Sequence, residues 1–177
     1  MRILRLLSFS AIITVFVAAA SAQQTKPADT LKAFFTFDRA HSQNFSRTAI
    51  VERKKWFSDD LYKLFRVELK RQADFERKNP NEKPYFGDGL PFRPYDELCK
   101  VPGRSLHKQL TFMADGESES TSTVKVIFAF PEPCKEPDAT VYRFKMVKSP
   151  AGWVIDNVIY DKDSNSNLVA DLKRKDY

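Results

Sequence analysis

The sequence predicts an α+β fold in which N-terminal helices pack on a four-stranded antiparallel sheet, followed by a short C-terminal helix. Apolar residues recur at helical spacing from about residue 25 to residue 78, and they alternate with polar residues from 106 to 160. The stretch between these regions carries five prolines and three glycines and has no sustained period. The change of period along the chain therefore predicts helices first and a sheet afterwards.

The first 22 residues have the pattern of a cleaved secretory signal peptide. Arg2 and Arg5 are followed by an apolar run over 6–20 and by a small-residue site that ends at Ala22. The apolar run is shorter than the roughly 20 residues needed to cross a bilayer, so cleavage is favoured over an anchor. We therefore expect a secreted or periplasmic protein with one domain over 23–177 and no transmembrane anchor after cleavage.

The chain is mildly basic. Its formal net charge is +6, and removal of the two arginines of the leader lowers this to +4. Basic residues lie beside acidic ones instead of forming a tract, which argues against nucleic acid as a partner. No glycine-rich phosphate loop, Gly-x-Ser-x-Gly elbow or His-Glu-x-x-His motif occurs, so nucleotide-binding, hydrolase and metalloprotease functions lack support. We expect no cofactor.

The chain contains two cysteines, Cys99 and Cys134, and an even number in a secreted protein favours a disulfide. Such a bridge closes a loop of about 36 residues. Because it restricts the unfolded chain, it is expected to stabilise the fold by roughly 3–4 kcal/mol. A redox-active or nucleophilic cysteine is the alternative. Neither cysteine lies in a Cys-x-x-Cys pair, and only His41 and His107 are present as bases, so a structural bridge is favoured.

The first half of the chain predicts three helical segments. The first helix begins within residues 25–29 and runs to about Ser46, and a short segment over 47–55 follows it. Ser58 then caps a long helix whose first turn is acidic and whose last turn is basic, as the helix dipole favours. The dipeptide Asn-Pro at 79–80 ends this helix.

The segment from 79 to 104 is predicted to be a long loop that packs through its aromatic side chains. A structureless loop of this length is uncommon unless it covers a site, so these side chains are candidate ligand contacts. The alternative is that they seal one end of the core. The residues concerned are Tyr85, Phe86, Phe92 and Tyr95.

Four strands are predicted between residues 109 and 160. The last of them is apolar on both faces, which predicts a central position in the sheet. The dipeptide Asp-Gly at 115–116 predicts the turn after the first strand, and His107 is placed at the start of that strand. A last helix over 168–174, capped by Ser164 or Ser166, ends the fold. The predicted strands are 109–114, 124–130, 142–147 and 153–160.

This order of elements resembles the NTF2-like, cone-shaped α+β superfamily. Within it, the chain is similar to a bacterial extracytoplasmic family of unknown function with a signal peptide and two N-terminal helices. The similarity includes the sequence Phe-Gly-Asp-Gly at 86–89 and Gly-Trp-Val-Ile-Asp-Asn-Val at 152–158, and it covers residues 28–174. It implies a curved sheet around the long helix and a conical pocket that relatives use for catalysis, ligand binding or dimerisation, so a homodimer is one expectation.

In isomerase-like and dehydratase-like relatives, acid and base groups project into the cone. The resemblance therefore implies Asp38, His41 and Asp156 as candidate catalytic residues. Asp38 and His41 are three residues apart, so one face of a helix can place the carboxylate against the imidazole, although a solvated surface pair is the alternative. The expected lining of the cone adds three aromatic residues to the candidate ligand contacts: Tyr62, Trp153 and Tyr160.

No metal site is expected. A zinc site would need both histidines together with carboxylates. The segment 161–167 imitates the start of a calcium loop, but its sixth position is Ser166 instead of Gly and its twelfth is Leu172 instead of Glu. A polar turn before the last helix is the better account.

Three functions remain open. We favour a non-catalytic ligand- or protein-binding domain, because the expected pocket lining offers more aromatic than titratable side chains. The first alternative is a small-molecule isomerase or dehydratase that uses a buried acid/base carboxylate. The second is an inhibitor or immunity-like protein that binds a partner through the outer face of the sheet. The partner is accordingly an unknown small ligand or an envelope or secreted protein.

Overall fold

The elements of the fold follow one another in the order that the sequence predicts, with helices before the sheet. The computed structural model describes residues 26–94, 98–160 and 166–175, so the predicted leader over 1–22 lies outside the described residues. The elements are α1 (Pro27–Ala40), α2 (Arg47–Glu52), a 3-10 turn (Lys54–Trp56), α3 (Asp59–Lys78), β1 (Leu98–Val101), β2 (Arg104–His107), β3 (Gln109–Glu117), β4 (Thr121–Ala129), β5 (Thr140–Ser149), β6 (Gly152–Ile159) and α4 (Leu168–Lys173).

The first helix ends at Ala40, and the predicted extension to Ser46 is wrong. His41 already has extended backbone angles, and the carbonyl of Asp38 accepts hydrogen bonds from the backbone of His41 and from the side chain of Gln43. These donors satisfy the end of the helix without a further turn. Ser46 instead starts α2, because its hydroxyl accepts a hydrogen bond from the backbone N–H of Ala49 at 3.2 Å.

The long helix is confirmed at both ends. The hydroxyl of Ser58 accepts a hydrogen bond from the N–H of Leu61 at 3.1 Å, and Asp59 and Asp60 occupy the first turn. At the other end, Asn79 donates from its backbone to the carbonyl of Phe75 at 2.8 Å. None of the helices in the described ranges is long and apolar enough to cross a membrane.

The predicted central position of the last strand is wrong. The four-stranded sheet has the antiparallel order β3-β4-β5-β6, which places β6 at an edge. This edge is covered, because Phe57 forms a parallel bridge with Ile155 and the backbone N–H of Ser58 donates to the carbonyl of Ile155 at 2.8 Å. Ile159 also forms a bridge, an antiparallel one, with Asn167. Coverage of the edge, rather than a central position, accounts for the apolar character of β6.

The predicted loop over 79–104 contains a hairpin that sequence analysis missed. Its strands β1 and β2 have four residues each, and most of their side chains are exposed or half-buried, so no buried face produces a pattern. Gly103 has φ of +78° at the turn between them, a conformation that glycine adopts without strain. His107 consequently ends β2 and does not begin the following strand.

The predicted turn at 115–116 is also wrong. Strand β3 continues to Glu117, with a register shift between Ala114 and Glu117 that marks a β-bulge. Gly116 has φ of +106° in this bulge, which is why the dipeptide resembles a hairpin turn in the sequence. The chain reverses afterwards, where the N–H of Ser118 donates to the carbonyl of Thr121 at 2.7 Å.

The structure confirms the predicted disulfide but not the predicted cap of the last helix. Cys99 and Cys134 form the predicted disulfide, which ties β1 to the segment after β4. The cap of α4 is Asn167, whose side chain accepts from the N–H of Ala170 at 3.0 Å, and not Ser166. Ser164, the other predicted cap, lies outside the described residues.

The core lies between the helices and one face of the sheet, and aromatic rings dominate it. Phe34 and Phe35 of α1 make edge-to-face contacts with the rings of Phe92 and Phe144 at 5.2 and 5.4 Å. Such pairs contribute beyond the burial of their area. The space between helices and sheet is therefore filled by side chains, among them Phe34, Phe35, Phe57, Phe65, Phe92, Phe128 and Phe144.

The substitution Ser58→Ala should lower the free energy of unfolding by about 1–2 kcal/mol. It removes the helix cap and also the hydrogen bond that the Ser58 hydroxyl donates to Asp156 at 2.6 Å. Urea unfolding measures the change, and Ser120→Ala, an exposed serine between β3 and β4, serves as the matched control with a change within ~0.5 kcal/mol. Equal stability of both variants would contradict this role for Ser58.

Candidate functional site

Asp38 is the most constrained of the predicted catalytic residues. Its side chain is fully buried, and each of its carboxylate oxygens accepts a hydrogen bond from an arginine Nε at 2.7 Å, one from Arg53 and one from Arg93. Arg53 is itself fully buried and Arg93 almost so. Because both oxygens already accept from a guanidinium group, this carboxylate is poorly placed to take a proton from a substrate.

The two arginines also donate hydrogen bonds to backbone carbonyls around Asp38. Arg53 also donates to the carbonyls of Ala49 and Ser42, each at 3.0 Å. Arg93 donates to the carbonyl of Phe35 at 3.1 Å. The cluster thus joins α1, the following loop, α2 and the segment before β1. The sequence did not indicate these arginines, because Arg53 and Arg93 lie 15 and 55 residues from Asp38. No local spacing rule links residues so far apart.

The predicted pairing of Asp38 with His41 does not occur. The ring of His41 is exposed, stacks on Phe37 with centroids 3.6 Å apart, and has its Nδ1 at 2.7 Å from the carbonyl of that residue. Asp156 lies on β6 and accepts the hydrogen bond from Ser58. The three predicted catalytic residues therefore have separate partners and form no common acid/base pair.

Glu68 forms a second buried carboxylate cluster, which sequence analysis also missed. Its side chain is fully buried and contacts Arg71 at 2.7 Å and Arg174 at 2.6 Å. The guanidinium carbon of Arg174 lies 3.7 Å from the centroid of the Tyr85 ring, in the geometry of a cation–π contact. This cluster joins α3, the end of α4 and the segment after α3.

The aromatic residues predicted to contact a ligand lie in two environments. Three of them are buried among other core side chains: Phe86, Phe92 and Trp153. Tyr85 is 53% exposed and Tyr62 is half-buried beneath the ammonium group of Lys54. Tyr95 lies outside the described residues. Phe86 and Phe92 thus serve to attach their segment to the core, while Tyr85 alone of the described rings in that segment is largely exposed.

Tyr160 connects the end of β6 to the segment before β1. Its hydroxyl donates to the carbonyl of Pro91 at 3.2 Å, and its ring contacts that of Tyr142 at 5.0 Å. Burial, together with the negative charge of Asp171, raises the pKa of Tyr160 well above its usual value near 10. Burial also raises the pKa of Tyr142.

A groove of about 750 Å³ opens between α1 and the strands β2 and β3, and we call it the α1–β3 groove. Residues 32, 35, 36, 39 and 40 form one wall, which is the spacing of a single helix face. Residues 105–110 and 112 form the other wall, and Pro131 and Arg93 complete the lining. We call the five large apolar residues of this lining the apolar floor: Phe35, Leu106, Leu110, Phe112 and Pro131.

The floor of the groove rests on the Asp38 cluster. The guanidinium carbon of Arg93 lies 5.1 Å from the centroid of the Phe35 ring, and Phe35 contacts Phe112 at 5.8 Å. Behind it, the disulfide of Cys99 holds the hairpin that contributes Leu106. Secondary-structure elements therefore position most of the groove, which favours a preformed site.

The groove is lined by cations and by no carboxylate among the described residues. Lys32 pairs with Asp29 outside it, and Lys108 lies 3.5 Å from Glu136. Arg39 makes one long hydrogen bond, to the carbonyl of Lys108 at 3.4 Å, and no ion pair within the part of the chain that the structure describes. The lining of the groove therefore combines large apolar side chains with four cationic ones.

A second depression, of about 880 Å³, lies beside the C-terminal half of α3. Two of its arginines, Arg71 and Arg174, are already bound by Glu68, and the carboxylates of Asp74 and Glu82 also line it. Mixed charges and lysines on a helix surface define no particular ligand. We therefore take the α1–β3 groove as the candidate site.

Within the described ranges, no group of three or more metal-ligating side chains is close enough to hold an ion. Comparison of the chain with protein-family models, with curated proteins and with solved structures finds no match. The resemblance to the NTF2-like superfamily therefore stays a prediction from the sequence.

The substitution Asp38→Asn should destabilise the fold by about 3–5 kcal/mol, because it leaves two buried guanidinium groups without their carboxylate. Asp74→Asn is the matched control. It removes an exposed ion pair with Arg77 and should cost less than about 1 kcal/mol. Chemical denaturation compares the two variants, and a similar small loss in both would show that the Asp38 cluster does not hold the segments together.

The stability of the protein should fall as the pH rises above 10. Because the pKa of Tyr160 is higher in the folded than in the unfolded state, the unfolded chain loses this proton first. The contribution is fully present below pH 10 and is lost as the pH rises towards the folded pKa. Tyr160→Phe should therefore flatten the alkaline decline of the unfolding free energy, at a cost of about 1 kcal/mol at neutral pH for the lost hydrogen bond. An unchanged alkaline slope would contradict this assignment.

Proposed function

We propose that the protein is a non-catalytic, extracytoplasmic binding domain that takes a small, partly apolar molecule into the α1–β3 groove. The observation that carries this proposal is the combination of an apolar floor with a lining that contains no carboxylate among the described residues. A volume of about 750 Å³ suits a small molecule. The disulfide fits an oxidising compartment, in agreement with the leader that the sequence predicts.

We further propose that the chain has the NTF2-like fold that its sequence resembles. The helix-first order and the four antiparallel strands support it. Core phenylalanines fill the space where that superfamily is expected to have a conical pocket, so the ligand would occupy the α1–β3 groove at its side.

The isomerase or dehydratase alternative has less support. An enzyme of this kind needs a carboxylate or imidazole beside the substrate with a free lone pair. Asp38 lies beneath the floor with both oxygens bound to arginines, and Asp156 is paired with Ser58 on β6. His107 lines the groove but has no carboxylate in the lining to orient it.

The inhibitor or immunity-like alternative also has less support. It relies on an apolar outer face of the sheet. Asp115 lies on that face between Lys125 at 3.2 Å and Arg143 at 3.3 Å. Charged side chains that pair with one another on one face are typical of a solvent-exposed surface and not of the core of an interface.

The substitution Leu106→Asp tests the groove. It places a carboxylate on the apolar floor at a residue of the β1–β2 hairpin, outside the main core cluster. Decanoate and decan-1-ol are the probes. At least one of them should bind the unaltered protein by isothermal titration calorimetry, and Leu106→Asp should weaken that binding by about tenfold or more.

Leu98→Asp is the matched control, because Leu98 is in the same hairpin but 55% exposed and not part of the groove. It should bind the probes as the unaltered protein does. Equal weakening by both substitutions would indicate damage to the hairpin instead of the groove. Failure of both probes to bind the unaltered protein would contradict the proposed function.

A further inference from the structure

We infer that the ligand of the α1–β3 groove is an amphipathic monocarboxylate whose head group is bound by Arg39. This inference rests on the proposed function and adds the chemical class of the ligand. The ligand would lay its apolar body on the floor of the groove and direct its carboxylate towards the last turn of α1.

The cations around the groove differ in whether they have a carboxylate partner. Four cationic side chains line it: Lys32, Arg39, Arg93 and Lys108. Three of these have carboxylate partners that lie outside the lining, namely Asp29, Asp38 and Glu136. Arg39 alone of the four has no carboxylate partner within the described residues. An anion in the groove would supply the partner that Arg39 lacks.

Arg39 has the geometry to bind a carboxylate in the groove. It is four residues after Phe35, so both side chains project from the same face of α1 and both line the groove. A guanidinium group has five N–H donors in a fixed fork. One of them reaches the carbonyl of Lys108, which leaves enough donors for the two parallel hydrogen bonds that a carboxylate accepts.

The lining of the groove also places large apolar side chains across from Arg39. Leu106, Leu110 and Phe112 are contributed by the strand wall, opposite the helix that contributes Arg39. A small inorganic anion would leave this apolar surface uncovered, while a neutral hydrocarbon would leave Arg39 unpaired. A molecule with one anionic end and an apolar body satisfies both parts of the site.

The test compares decanoate with decan-1-ol, which have the same chain length and differ in charge. Calorimetric titration should show that decanoate binds about tenfold or more tightly than decan-1-ol. Arg39→Gln should reduce the affinity for decanoate by about tenfold and leave that for decan-1-ol unchanged. Arg66→Gln, at an exposed arginine of α3 outside the groove, is the control and should change neither affinity.

The outcomes separate this inference from the proposed function. If decan-1-ol binds as tightly as decanoate and Arg39→Gln changes neither, the groove binds apolar molecules and the inference about the anion is overturned. If neither probe binds, both proposals are overturned.

A lipid head group is the other source of an anion on an apolar body. Vesicles of phosphatidylglycerol provide this arm of the test. Sedimentation of the protein with these vesicles, together with no binding of monomeric decanoate, would overturn the inference in favour of a membrane surface. Binding of decanoate without sedimentation supports the small-molecule ligand.

Discussion

The carboxylate of Asp38, held between Arg53 and Arg93 inside the core, is the interaction on which the rest of the structure depends. Charges in a core are costly unless each polar atom finds a partner, and here both oxygens and several guanidinium donors do so. The partners come from α1, the loop after it, α2 and the segment before β1. Of these pieces, α1 also buries Leu31, Phe34 and Phe35 in the core, whereas α2 has only six residues and the other two segments form no regular structure. Their relative positions therefore follow from one buried ion cluster and from the phenylalanines around it.

The Glu68 cluster is a second buried arrangement of this kind. There a buried carboxylate joins α3 to α4, and Arg174 extends the contact to the ring of Tyr85. The two clusters hold the described part of the segment after α3, residues 79–94, at Tyr85 and at Arg93. This explains how a stretch rich in proline and without regular structure packs against the core. It also explains why the α1–β3 groove has a well-supported floor, since Arg93 belongs both to the Asp38 cluster and to the lining.

The sequence predicted the elements that depend on local chemistry. The cap at Ser58, the long helix, the alternating strands and the disulfide follow from spacing, turn residues and cysteine number, and the structure confirms them. Features that depend on distant partners were missed. The β1–β2 hairpin has no buried face to produce a pattern, and the edge position of β6 is hidden because Phe57 covers that edge. Gly116 has the appearance of a turn residue but lies in a bulge. Arg53, Arg93 and Arg174 lie far in sequence from the carboxylates that they bind, so no local rule identifies them. Only the pair of Glu68 and Arg71, three residues apart on α3, has a spacing that the sequence could have indicated.

The Asp38 cluster and the α1–β3 groove together bear on the function. The buried carboxylate of Asp38 is bound by two arginines, and the lining of the groove above it combines large apolar side chains with cationic ones. Binding is therefore the use that its chemistry favours. The most direct measurement is a crystal structure of the protein purified from its native source, with any bound molecule retained. The account predicts density for a small amphipathic molecule along the α1–β3 groove, with its polar end at Arg39. A groove covered by a second copy of the chain, or a ligand bound only elsewhere, would contradict it.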